Sequence, residues 1–127
     1  MTGMPTGETL RFIHENNVKL VVSATHMDPP IAIGIPTLRV PFEDHYQKLP
    51  DMGLIQFAGD LAIKVLDEGK SVLVHCAYGL NRSALIVAYV LTHSYGLSGK
   101  EAVALIRRER PGTLHNPVFA KYVEEHW

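Results

Sequence analysis

Hydrophobic positions along this chain switch between two periods. Residues 18–24 (VKLVVSA), 38–42 and 71–75 are short runs rich in β-branched residues, each bounded by turn formers, and they predict three strands. Between the second and third, residues 51–68 carry Leu54, Ala58, Leu61 and Val65 at helical spacing. Asp51 follows Pro50 as a cap and Gly69 stands just past the end, so one amphipathic helix is expected there, with those four apolar residues inward. Residues 83–95 are apolar almost all round and stop at Gly96, which predicts a helix buried over most of its surface. Ser98 and Glu101 form a capping box for a further helix that Pro111 and Gly112 end. Asn116 before Pro117 opens the last helix, with Phe119, Tyr122 and Val123 facing in. Strands taking turns with helices predict an α/β fold: a small, mostly parallel sheet flanked by helices.

Composition narrows the class. A chain of 127 residues with 46% hydrophobic content has enough apolar surface for one core and too little for two, so residues 1–127 are read as a single domain. Twelve Lys and Arg against 13 Asp and Glu imply neither a nucleic-acid-coating face nor an acidic tail. One cysteine makes no internal disulfide, no charged-then-apolar leader opens the chain, and the longest apolar run, 84–91, is too short for a bilayer. A soluble protein of the reducing cytoplasm, without a membrane partner, is the expectation.

The chemistry gathers at residues 75–83, HCAYGLNRS, where a predicted strand ends and a predicted helix begins. In open α/β sheets ligands bind at the carboxyl ends of strands, and a helix N-terminus presents unbonded N–H groups to anions. Cys76 sits in that crevice, where the helix dipole, loop N–H groups and the Arg82 guanidinium all favour thiolate, a nucleophile ready at neutral pH. Ala77, Tyr78, Gly79, Leu80 and Asn81 separate it from Arg82. That length wraps the three equatorial oxygens of a phosphoryl group, with Gly79 supplying backbone freedom and Arg82 a two-pronged clamp. Ser83 is placed to hydrogen-bond the sulfur and help it leave.

His75, Cys76, Gly79, Arg82 and Ser83 match the HCxxGxxR[ST] signature, and the chain resembles the cysteine-dependent protein tyrosine phosphatases, in particular the short dual-specificity branch, from about Leu20 to its end. By average residue frequencies such a pattern arises by chance in only about one in 10⁴ to 10⁵ chains of this length. Rhodanese-like domains also place a loop cysteine before an arginine, but on a shorter loop suited to sulfur. The resemblance implies a dual-specificity phosphatase-like fold, a cysteinyl-phosphate intermediate, no metal or cofactor, and phosphorylated proteins or peptides as partners, with phosphate-like anions held at the loop. It also implies an acid on a loop after a strand, roughly thirty residues before the cysteine; Asp44 in RVPFEDHYQ fits, with Asp51 and Glu43 as rivals. It makes His75 a support that orients the loop and tunes the thiolate. Asn116 falls where relatives keep a polar residue under the phosphate loop, and it serves equally as a helix cap.

Two features pull away from the common pattern. The family usually opens with an additional strand or hairpin, whereas this chain reaches its first helix-like segment, residues 8–15, almost at once, which implies a smaller sheet. Nor does a long insertion build a deep wall around a phosphotyrosine ring. The loop YGLNR, with Asn81 before the arginine, also resembles the RNA 5'-phosphatase branch, although near-neutral charge argues against an RNA groove. A phosphatase of RNA or small molecules and an inactive phospho-binding module are therefore the alternatives. Arg107, Arg108 and Arg110 read as a solvated face able to flank the cleft, and the remaining histidines show no ligand spacing.

Overall fold

The computed structural model describes residues 17–25, 35–76 and 81–127. The predicted helix at 8–15 and the loop residues 77–80 lie outside them. The strands are β1 (Val18–Ser23), β2 (Thr37–Arg39) and β3 (Ser71–His75); the helices are α1 (Met52–Asp67), α2 (Arg82–Ser94), α3 (Gly99–Glu109) and α4 (Pro117–His126). The sheet runs β2-β1-β3 and every pairing is parallel, with Val22 beside Leu38 on one side and Val74 on the other.

Both sheet faces are covered, as a parallel sheet requires. Leu20, Val22, Ala24 and Val74 join one large core with Ile55, Leu85, Ile86, Phe119 and Val123, while Val18, Val21 and Leu73 form a smaller cluster with Ile35. α2 is the central helix, packed against α1, α3, α4 and β3. From Ser83 to Val90 all but the partly buried Val87 are buried, the nearly all-round burial its composition predicts.

Three local readings are revised. The second strand ends at Arg39 rather than at residue 42. Val40 N still donates to Ser23 O at 2.8 Å, but Pro41 has no N–H to continue the ladder, and Phe42 is buried from a loop instead. The inward face of α1 is rotated only in part from the predicted one: Ile55, Ala58, Gly59 and Ala62 are buried and Leu61 and Val65 pack against the core as expected, while Leu54 is 37% exposed. Gly59 explains the rotation, since a Cβ there would lie 2.1 Å from the Tyr89 ring, so its bare backbone is what lets α1 meet α2. On α4, Tyr122 is only half-buried beside buried Phe119 and Val123.

The predicted caps form. Asp51 accepts from Gly53 N at 2.9 Å, Ser98 and Glu101 make both bonds of the capping box, and Asn116 accepts from Val118 N and Phe119 N. Gly69, at φ 78, ends α1 in the left-handed region where a side chain would be strained. No helix among the described residues is long and apolar enough to cross a membrane.

Candidate active site

Parallel pairing decides where the chemistry gathers, because every strand delivers its following loop to the same sheet edge. β3 ends at His75 with Cys76 next, and β2 ends two residues before Pro41 and the segment leading to Asp44. Cys76 and Asp44, far apart in sequence, therefore lie at one end of the sheet, by the first turn of α2.

Cys76 is 2% exposed, so it is buried at that end of the sheet rather than on the surface. Its Sγ lies 3.4 Å from Ser83 Oγ, in the first turn of α2, as the reading of Ser83 expects. Arg82 is half-buried, and its Nη1 reaches the Phe42 carbonyl at 3.5 Å, which ties the helix start to the acid loop. Phe42 is itself anchored, its ring 6.3 Å from that of Phe119 on α4.

Asp44 is gripped from two directions. Its Oδ2 accepts from Asn81 Nδ2 at 2.9 Å and its Oδ1 from Asn116 Nδ2 at 2.7 Å. Asn116 Nδ2 also donates to the His45 carbonyl at 3.0 Å, and Asn116 N donates to Asn81 Oδ1 at the same distance. The carboxyl is oriented by two amides, yet each oxygen has a second lone pair, leaving room for a proton in transit. The rivals differ: Asp51 spends its carboxylate capping α1, and Glu43 is exposed where Asp44 is half-buried.

His75 is fully buried, and neither ring nitrogen has a hydrogen-bond partner among the described residues. Burial lowers its pKa from the ordinary 6.5, which favours the neutral ring. It thus supports the end of β3 as a packed body. Arg107 lies on an exposed face, as its reading expects, and has a second role: its Nη2 donates to Leu114 O at 2.7 Å and its Nε to Thr113 O at 3.4 Å, clamping the α3–α4 loop. Arg108 also lies on an exposed face, 3.6 Å from Glu109.

The side-chain role of Asn81 was not legible beforehand. Placed at the start of α2, it makes no side-chain cap and turns instead to Asp44 and Asn116. His115 and Tyr46, which join this cluster through Asn81 Nδ2 and the loop after Asp44, carried no local signal at all. Their partners lie 34 and 69 residues away in sequence, a separation only the fold closes.

Comparison with known proteins gives one direction. The family model described as "Dual specificity phosphatase, catalytic domain" matches residues 2–126. The chain is 29% identical to the tyrosine-protein phosphatase CDC14 of Saccharomyces cerevisiae over 130 residues, 97% of this chain and 22% of the yeast protein. It is 32% identical to human dual specificity protein phosphatase 15 over 114 residues, 89% of this chain and 34% of the human protein. It therefore spans only a fifth to a third of these relatives. The crystal structure of DUSP15 superposes with a TM-score of 0.84 at 24% identity, covering 98% of this chain and 80% of that one, which is a likeness of fold.

Proposed function

Because this chain belongs to the dual specificity phosphatase catalytic-domain family, we propose that it hydrolyses phosphomonoesters of tyrosine, serine and threonine in proteins through a cysteinyl-phosphate. The Cys76 thiolate attacks phosphorus, the bond from phosphorus to the leaving oxygen breaks, and Asp44 gives that oxygen its proton. Water then attacks the phosphocysteine, Asp44 takes the water's proton, and the P–S bond breaks to release phosphate. Arg82 and the N–H groups of residues 77–82 hold the equatorial oxygens, Ser83 stabilises the departing sulfur, and His75 supports the loop from below. Residues 1–127 act as one catalytic unit, in a reducing cytoplasm that keeps its lone thiol reduced.

The observation that carries this reading is the 2.9 Å bond from Asn81 to Asp44, which joins the candidate acid to the residue directly before the phosphate clamp. A phospho-binding module has no use for a carboxyl held there. The test separates nucleophile from acid. Cys76→Ser should abolish hydrolysis of p-nitrophenyl phosphate while phosphate binding persists. Asp44→Asn should lower kcat on a phosphate ester with a poor leaving group by about 10²–10⁴, and Asp51→Asn should leave kcat nearly unchanged. Residual activity of Cys76→Ser within tenfold of wild type would sink the mechanism, and exchanged behaviour of the two aspartates would reassign the acid.

A further inference from the structure

The donor and acceptor assignment around Asn81 admits one solution. Its Oδ1 accepts from Asn116 N at 3.0 Å, so the amide cannot be turned over without setting donor against donor there and oxygen against oxygen at Asp44. Both Nδ2 hydrogens then have assigned acceptors: Asp44 Oδ2 at 2.9 Å and His115 Nε2 at 3.1 Å. His115 Nε2 is therefore the acceptor nitrogen, and its proton sits on Nδ1, which donates to Tyr46 Oη at 2.5 Å. Tyr46 follows Asp44 by two positions on the acid loop, so the chain closes a ring: Asp44, Asn81, His115, Tyr46 and back along the backbone to Asp44.

One side of this ring is anchored through its backbone neighbours, although the His115 side chain is itself exposed. His115 follows Leu114, which is fully buried at a left-handed φ of 51 and whose carbonyl Arg107 holds at 2.7 Å. Asn116, next in sequence, is also fully buried. Tyr46, by contrast, is 47% exposed, with its ring 5.8 Å from the imidazole and no core to hold it. The exposed end of the acid loop is thus moored to the corner between α3 and α4, whose backbone is held by buried Leu114 and Asn116.

We infer that His115 is a positioning residue for the acid: through Tyr46 and Asn81 it holds the segment 44–46 so that Asp44 meets the leaving oxygen. The inference rests on the phosphatase reading above, and concerns the acid step alone. A mooring of this kind matters only when the leaving group needs a proton. It leaves the thiolate and the phosphate clamp untouched.

The test measures kcat and KM for p-nitrophenyl phosphate, whose leaving group needs little protonation, and for phenyl phosphate, whose leaving group needs it. His115→Ala and the milder Tyr46→Phe should each lower kcat on phenyl phosphate by about tenfold, a part of the roughly 10²–10⁴ an acid supplies. Both should keep p-nitrophenyl phosphate kcat within about twofold, with KM and the thermal midpoint unmoved. In an Asp44→Asn background His115→Ala should add no further loss. Equal losses on both substrates, or a loss that adds to that of Asp44→Asn, overturns the positioning role and leaves the phosphatase reading standing. A wild-type protein that fails on p-nitrophenyl phosphate overturns both.

Discussion

Asn116 answers two structural demands with one amide. Its oxygen caps α4 through Val118 N and Phe119 N, and its nitrogen holds Asp44 and the His45 carbonyl, so cap and site support are one residue rather than alternatives. His75 answers a different demand, that of ending a buried strand without bringing charge into the core. Unfolded, it takes a proton near the ordinary 6.5; folded, burial postpones that proton to lower pH. Between the two values the unfolded chain binds more protons, so stability rises with pH there. Stability is then fully present above about 6.5 and is lost as pH falls toward the lower folded value. Urea titrations at about pH 7.5, 6 and 5 should show the unfolding free energy declining, by at most about 1.4 kcal/mol per pH unit from this group. His75→Leu should flatten that slope even if it shifts the curve as a whole. An unchanged slope would assign the acid sensitivity to other groups.

At the scale of elements, the close approach of α1 to α2 sets which side of α1 is core. Tyr89 Oη donates to Asp60 Oδ1 at 2.7 Å across this contact, with its ring laid over the bare backbone of Gly59. Helix propensity alone favours Gly59→Ala by about 1 kcal/mol. The added methyl must instead displace a ring packed into the core, and such overpacking typically costs about 1–3 kcal/mol. The second effect should win, so Gly59→Ala should lower the thermal midpoint, and Tyr89→Leu in the same chain should recover part of the loss. A midpoint raised by Gly59→Ala would show that the helices part without penalty. The same orientation of α1 leaves Phe57 59% exposed although Ile55 and Ala58 beside it are core.

Across the whole molecule, the formal net charge of −1 gives no long-range pull on a polyanion, so a substrate is chosen at the site itself. Phosphotyrosine peptides should be cleaved fastest, phenolate being the better leaving group, with phosphothreonine or phosphoserine measurable behind them. Comparing kcat/KM on these peptides and on 5'-triphosphorylated RNA at two salt concentrations checks this. RNA turned over ahead of every peptide, at a rate falling steeply with salt, would reassign the substrate class. The sequence alone determined the α/β alternation and the caps at Asp51, Ser98 and Asn116, and it singled out Cys76, Arg82 and Ser83 as candidate nucleophile, clamp and supporting serine, because periodicity, capping and a strand-to-helix loop act over a few neighbouring residues. Asp44 was legible only through the family resemblance, since nothing within its own loop separates it from Glu43. Tertiary structure alone decided that Asn81 reaches Asp44, 37 residues away, that the exposed Arg107 also clamps a loop, and that Gly59 rather than Leu54 marks the inner side of α1. The reason is common to all three: parallel strands and a central helix bring distant segments to one edge, and a hydrogen bond or a close contact between them depends on that juxtaposition, of which the local sequence carries no trace.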